Sequence, residues 1–223
     1  MNYVPAWKKD FPFRLATGVY YQAPFYNELR DTVADAYGNV HVELNHNIKA
    51  QRSLHFVLAG DHYFRAWGRP FKFTTEAYLK LADRVISYSV DNVQVRYSGQ
   101  NDAKAYTAGV DFKLFGELVP GTDSWINFSL MDSKENLLND SYVKKEYDDN
   151  GQLISSETVY PGWLPRPNEQ RYSFSMLFQD YLPNNPKYKM QLKFIWSDGL
   201  PFSPPNNVAY RSVFRTPAYR RVD

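Results

Sequence analysis

Hydrophobic and polar residues alternate singly along much of this chain. In "GRPFKFTTEAYLKL" (68–81), Phe71, Phe73, Thr75, Ala77, Leu79 and Leu81 share one parity. Lys72, Thr74, Glu76, Tyr78 and Lys80 share the other. Successive strand side chains point to opposite faces, so this period predicts a strand with one greasy and one polar face. The same pattern recurs in "FRLATGVYY" (13–21), "SLHFVLAGDHYFRA" (53–66), "AYTAGVDFKLFGEL" (105–118), "SWINFSLM" (124–131), "RYSFSMLFQDYL" (171–182), "YKMQLKFIW" (188–196) and a last strand over roughly 211–223. A weaker strand-like run, "NVQVRYS", covers 92–98. A convincing 3.6-residue period over ten or more positions is missing, so no long helix is expected.

The connections differ in kind. Tight turns are expected at 67–70, 119–122 and 183–187, and long polar loops at 22–50, 82–104, 132–169 and 199–210. Short and long connections therefore alternate, which puts the long loops at one end of an antiparallel meander of about eight strands. Outer-membrane barrels are built this way, whereas a soluble sandwich has no reason to keep its long loops together. Aromatics cluster near the strand ends at Tyr20, Tyr21, Phe64, Trp67, Trp125, Tyr181, Tyr188 and Trp196. Such girdles mark a bilayer interface, although Tyr and Trp are also good strand formers.

Composition sharpens this picture. Aromatics make up 17% of the 223 residues, a share that suits strands and interfaces. The net charge of +2 is too balanced for a nucleic-acid partner. With no cysteine, thiolate catalysis and zinc-thiolate sites are excluded. The mean hydropathy is −0.55 and no apolar run reaches the length of a membrane helix. A barrel remains open, because its strands are apolar only at alternate positions. The N-terminal "MNYVPAWKKDFPF" has no apolar core and does not read as a signal peptide.

Several segments resemble the barrel of TonB-dependent outer-membrane receptors. They are "APFYNELRD" (23–31), "NHNIKAQRS" (45–53), "NDAKAYTAGVDFKL" (101–114) with Asp111 in place of a family Glu, "PRPNEQRYSFSMLFQDYLP" (165–183), "GLPFSPPN" (199–206) and "YRRVD" (219–223). The likeness is to Bacteroidota-type receptors, which often carry a carboxypeptidase-regulatory-like domain. It implies that residues 1–223 are a partial receptor barrel, without signal peptide or plug and with C-terminal strands missing. It further implies uptake of a scarce nutrient (siderophore-iron, cobalamin or an oligosaccharide) in the outer membrane. The implied partners are outer-membrane lipid, the rest of the receptor and, through the missing N-terminal part, the TonB complex. The alternative is a soluble or small eight-stranded barrel that binds an apolar ligand. Neither an enzymatic activity nor a cofactor is expected.

Candidate site residues follow from the faces. If the greasy face meets lipid, Lys72, Glu76, Lys80, Asp111, Lys113, Lys189, Gln191 and Lys193 line a lumen. Tyr26, Arg30, Tyr142, Trp163 and Arg166 lie in the long loops and are candidates to touch an incoming ligand. In "EYDDNGQLISSE" (146–157), Glu146, Asp148, Asn150, Gly151, Gln152 and Glu157 fall at calcium-loop positions, yet the Asn-Gly pair between strand-like runs reads first as a hairpin. His41, Glu43 and His46 could chelate an ion but read first as loop polars, while His55 and His62 fall on opposite parities of one strand and do not converge.

Overall fold

A computed structural model describes residues 2–5, 10–34, 37, 39–91, 94–204 and 211–223. The chain is all-β. The long strands are β2 (Phe13–Gln22), β5 (Gln51–Ala66), β6 (Arg69–Val85), β9 (Ala103–Gly116), β10 (Ser124–Leu137), β14 (Tyr172–Leu182) and β15 (Asn185–Ser197). Short strands β1 (Asn2–Tyr3) and β18 (Tyr219–Val222) flank them. One ten-stranded sheet runs in the order β1-β2-β5-β6-β9-β10-β14-β15-β18, every pair antiparallel. A further strand, β13 (Trp163–Pro165), pairs with β10. This is the meander that the alternation predicts.

The tight turns close one end. Trp67 and Gly68, between β5 and β6, have φ of 51° and 75°, the double positive that a two-residue type I′ hairpin requires. At the other end each long connection carries secondary structure of its own. The first holds α1 (Tyr26–Leu29) with β3 (Arg30–Ala34) and β4 (Val40–Leu44), and the second holds β7 (Tyr88–Asp91) with β8 (Gln94–Tyr97). The third holds β11 (Tyr142–Tyr147) with β12 (Leu153–Val159), and the last holds β16 (Pro201–Phe202) with β17 (Phe214–Arg215). Each pair forms a separate two-stranded sheet. The long loops are therefore mostly hairpins rather than irregular chain. In the expected strand 92–98, residues 92–93 lie outside the described residues, and β8 takes up most of the remainder.

The expected last strand, 211–223, is instead two pieces. Pro217 lacks the N–H that a ladder needs. The chain breaks there, so β17 pairs with β16 and only β18 joins the main sheet. The turn expected at 183–187 is also shorter, since β15 begins at Asn185.

The ladder register sorts the side chains. Leu15, Leu58, Ala77, Val110 and Leu130 form one row across five strands. A neighbouring row takes in Phe112, Phe128, Phe174 and Trp196. Directly paired residues share a face, so these rows make one continuous apolar face. Among the described residues that face is uncovered: Leu15, Leu58 and Leu130 are 51%, 53% and 45% exposed. The buried hydrophobic residues are few and mostly small, with Val85, Ala103 and Ala105 forming a small cluster near the loop end.

Tyr78 lies on the polar face opposite Gly109. A Cβ at position 109 would meet the Tyr78 phenol and lie 2.6 Å from the Leu130 carbonyl oxygen. The ring can move, but the backbone of a paired strand cannot. Gly109→Ala is expected to destabilise the fold by about 1–3 kcal/mol, the usual range for overpacking. A denaturant titration reads this directly, and an unchanged midpoint would contradict the close approach.

Candidate functional site

The eight residues proposed to line a lumen fall on one face by register. Lys72, Phe115, Trp125, Leu177 and Lys193 form one row. Glu76, Asp111, Ser129, Ser173 and Ser197 form another. Lys113 shares the row between them with Thr74, Asn127 and Ser175. Lys80 pairs with Thr107, Gln191 with Gln179 and Lys189 with Tyr181 on the same side. Short serine side chains beside longer acidic ones leave a groove of about 350 Å3, lined by Glu76, Asp111, Asn127, Ser129, Ser173 and Ser175 among others.

Towards the turn end, this face holds an acid that periodicity did not single out. Asp61 is 1% exposed. It accepts from Arg14 Nη2 at 3.2 Å and from Thr74 Oγ1 at 2.8 Å, and Lys72 Nζ lies 3.2 Å away. Its charge is thus fully paired, as a buried carboxylate requires. Lys72 also stacks over the Tyr63 ring, 5.4 Å from its centroid. Lys72 is a structural partner as well as a face-lining residue.

The aromatic girdle needs correction. Tyr20, Trp125 and Tyr181 sit on the polar face: the Tyr20 ring lies tilted against His55, with centroids 4.5 Å apart, and the Tyr181 hydroxyl donates to the Gly121 carbonyl at 3.2 Å. Proximity to a strand end does not fix parity. The apolar face carries Phe64 and Tyr188 toward the turn end, with exposed Trp67 in the turn itself, and Tyr21, Tyr106 and Trp163 toward the loop end. Charged groups also appear there just above the apolar rows. Arg52 Nε lies 3.0 Å from Asp83, and Tyr106 donates to Asp132 at 2.7 Å.

The loop candidates do not converge. Tyr26 and Arg30 are exposed on and after α1. Tyr142 starts β11 opposite Val159. Trp163 is held in β13 against β10, its ring 5.0 Å from Tyr106. Arg166 faces Glu135 at 3.4 Å.

The calcium-loop spacing at 146–157 is a hairpin. Asp148 Oδ1 accepts from the Asn150 and Gln152 amides at 3.0 and 2.6 Å, and Gly151 has φ of +78°. Glu146 is bound by Lys144 Nζ at 2.7 Å and Ser155 Oγ at 3.3 Å, and Glu157 lies opposite Lys144. These acids serve the turn and the strand pair. His41 pairs with Glu43 at 3.3 Å, while His46 sits in the turn after β4. Among the described residues, no group of three or more His, Cys, Asp or Glu is placed to hold a metal. His55 and His62 lie on opposite faces, as their parities require.

A second network missed by sequence reasoning clasps the loop end. Arg215 binds buried Glu169, reaches Asp198 Oδ2 at 3.1 Å and donates to the Gly199 carbonyl at 3.1 Å. Arg171 Nε donates to Asp198 at 2.6 Å, and the Gly199 amide donates to the same carboxylate at 3.0 Å. The Ser133 amide completes the Glu169 side at 3.2 Å. Residues far apart in sequence meet here, so no local motif reports the network.

The Arg171 guanidinium hydrogen-bonded to Asp198 holds its carboxyl below the usual carboxylate range, with burial pulling the other way. A depressed folded-state pKa contributes stability above the unfolded value of about 3.9. That contribution is lost as pH falls through the lowered folded value. Protection of the Gly199 and Leu200 amides, taken relative to their intrinsic exchange rates, should persist near neutrality and fall only below about pH 4. Loss of protection already at pH 6 would contradict the clasp.

No family model matches the chain, and no curated protein matches it.

Proposed function

We propose that this chain is a section of an outer-membrane β-barrel of the TonB-dependent receptor kind. Its apolar face meets lipid and its polar face lines the lumen. The observation that carries this reading is the apolar face, uncovered among the described residues, continuous from β2 to β15 and backed by a polar face on the same strands. On β6 its apolar parity runs over residues 71–81, and a tilted strand needs about 9–11 residues to cross a bilayer. Exposed aromatics at both margins and hairpin-bearing connections at one end support the same reading.

The receptor role rests on the resemblance of the segments quoted above. In it the parent protein takes up a scarce nutrient of the siderophore-iron, cobalamin or oligosaccharide class. Outer-membrane lipid surrounds the barrel, and the TonB complex supplies energy through an N-terminal part. No catalytic role is assigned to any residue.

The DNA flanking this reading frame tests the receptor role. An upstream signal peptide and plug, with further alternating strands downstream, is the expected result. A promoter directly before Met1 and a stop after Asp223, with no receptor sequence on either side, would overturn it in favour of a free-standing small barrel.

A further inference from the structure

The turn between β5 and β6 breaks a local rule. Its first residue, Trp67, has φ of 51°, in the left-handed region that such turns normally fill with Asn, Asp or Gly. A bulky aromatic is strained there. The ring gains little from the protein in return: Trp67 is 77% exposed and meets Phe71 edge-on, with centroids 5.9 Å apart. Strain held at an exposed position points to a side chain that acts outside the fold.

Beside it lies a cation without a counter-charge. Arg69 has the apolar parity of β6, one row beyond buried Phe71. It donates to the Leu118 carbonyl, and among the described residues no carboxylate pairs with it. A guanidinium carries several N–H donors in a fixed fork, so one carbonyl does not saturate it. The loop margin of the same face is different. There Arg52 is paired with Asp83, and Lys134 lies 3.3 Å from Asp132. The loop margin neutralises its cations within the chain, and the turn margin leaves a guanidinium open.

Height decides what meets that guanidinium. Glu76 marks the midpoint of the apolar run 71–81 on β6, and Arg69 lies seven positions from it. At about 3.3 Å per residue this is roughly 23 Å along the strand. A tilt of about 35–45° converts it to roughly 16–19 Å along the bilayer normal. The hydrocarbon ends about 15 Å from the midplane and the headgroup layer at about 20–22 Å. Trp67 and Arg69 therefore fall at the level of the phosphates.

We propose that the β5–β6 turn binds the headgroup phosphate of an anionic phospholipid. The inference rests on the reading of the apolar face as the lipid face. Arg69 presents its N–H fork to the phosphate oxygens, the geometry that suits a guanidinium best. The Trp67 ring, backed by Phe71, covers the glycerol and the first carbons of the acyl chain. A zwitterionic headgroup brings its own cation, whereas an anionic one leaves its charge for Arg69. Arg65 is the matched control. It has polar-face parity opposite Pro70 and turns back to the Gly68 carbonyl at 2.8 Å.

The test uses the full chain folded into vesicles, with Trp67 kept and the other tryptophans replaced by phenylalanine. The probes are bromine-labelled phosphatidylglycerol and bromine-labelled phosphatidylcholine, at equal mole fraction in unlabelled phosphatidylcholine. Stronger quenching by the first is expected, equivalent to about fivefold enrichment at low salt. Arg69→Gln should abolish the excess, and Arg65→Gln should leave most of it. Equal quenching by the two lipids, or an excess that survives Arg69→Gln, would overturn the inference. Sodium phosphate should reduce the excess no more than sodium chloride of equal ionic strength. A selective loss in phosphate would assign the site to free phosphate and overturn the lipid assignment.

Urea titrations give a second reading that needs no tryptophan replacement. Phosphatidylglycerol in the vesicles should raise the midpoint of the unaltered chain and of Arg65→Gln, but not of Arg69→Gln. An equal rise in all three would count against a site at Arg69. Insertion of the unaltered chain into pure phosphatidylcholine is measured alongside. A chain that inserts and shows no lipid preference sinks this inference alone, whereas a chain that fails to insert sinks the lipid-face reading beneath it.

Discussion

Phe128→Arg is expected to block insertion of the chain into phospholipid vesicles, while Ser129→Arg, one residue along, leaves insertion intact. Phe128 lies mid-height in the apolar rows, with Phe112 on one side at 6.4 Å between ring centroids and Phe174 opposite it on the other. A guanidinium on the lipid face near the bilayer midplane costs about 2–4 kcal/mol. Ser129 points to the polar face, beside Asp111 in the same row and one strand from Glu76. An arginine there gains two carboxylate neighbours and needs no lipid contact. Urea titrations of folding into vesicles give both costs. Equal costs, or a larger one for Ser129→Arg, would reverse the face assignment.

Arg215→Ala is expected to release the β16–β17 hairpin from the main sheet. Glu169 is 2% exposed and is bound by this guanidinium, while Asp198, 6% exposed, shares it with Arg171, so the uncompensated charge in Arg215→Ala falls on Glu169. Removing one partner of a buried pair leaves an uncompensated charge and costs about 3–5 kcal/mol. The Arg171 side chain is 59% exposed, so Arg171→Ala should cost about 1 kcal/mol or less despite its shorter contact to Asp198. Hydrogen exchange distinguishes the two. Fast exchange confined to residues 199–202 and 214–216 is expected for Arg215→Ala, while equal effects from both substitutions would contradict the buried clasp.

The long strands were legible because alternation is a local signal. Residues 71–81 carry the two faces in their own order of residue types, and the eight polar-face candidates share that face because parity propagates through the register. Parity also explains the failures. Trp125 and Tyr181 lie near strand ends, but a one-residue offset puts them on the polar side. Inside the long loops, β8 showed as the strand-like run at 92–98, but β7 and β16–β17 are too short to show a period against a polar background. Pro217 could have been read as a break in the last strand, since proline cannot donate to a ladder. The two charge networks were invisible for a different reason: Arg14 meets Asp61 across 47 residues, and Arg215 meets Glu169 across 46. Only the paired register brings such residues together.

The central claim is that the apolar face meets lipid, and tryptophan fluorescence in vesicles of bromine-labelled phosphatidylcholine tests it most directly. Two single-tryptophan chains suffice. One keeps Trp196, which lies on the apolar face and is 40% exposed, and the other keeps Trp125 on the polar face. Strong quenching of Trp196 with Trp125 left bright is the predicted result. A chain that folds in plain buffer, with Trp196 no more quenched than Trp125 when vesicles are added, would contradict the account.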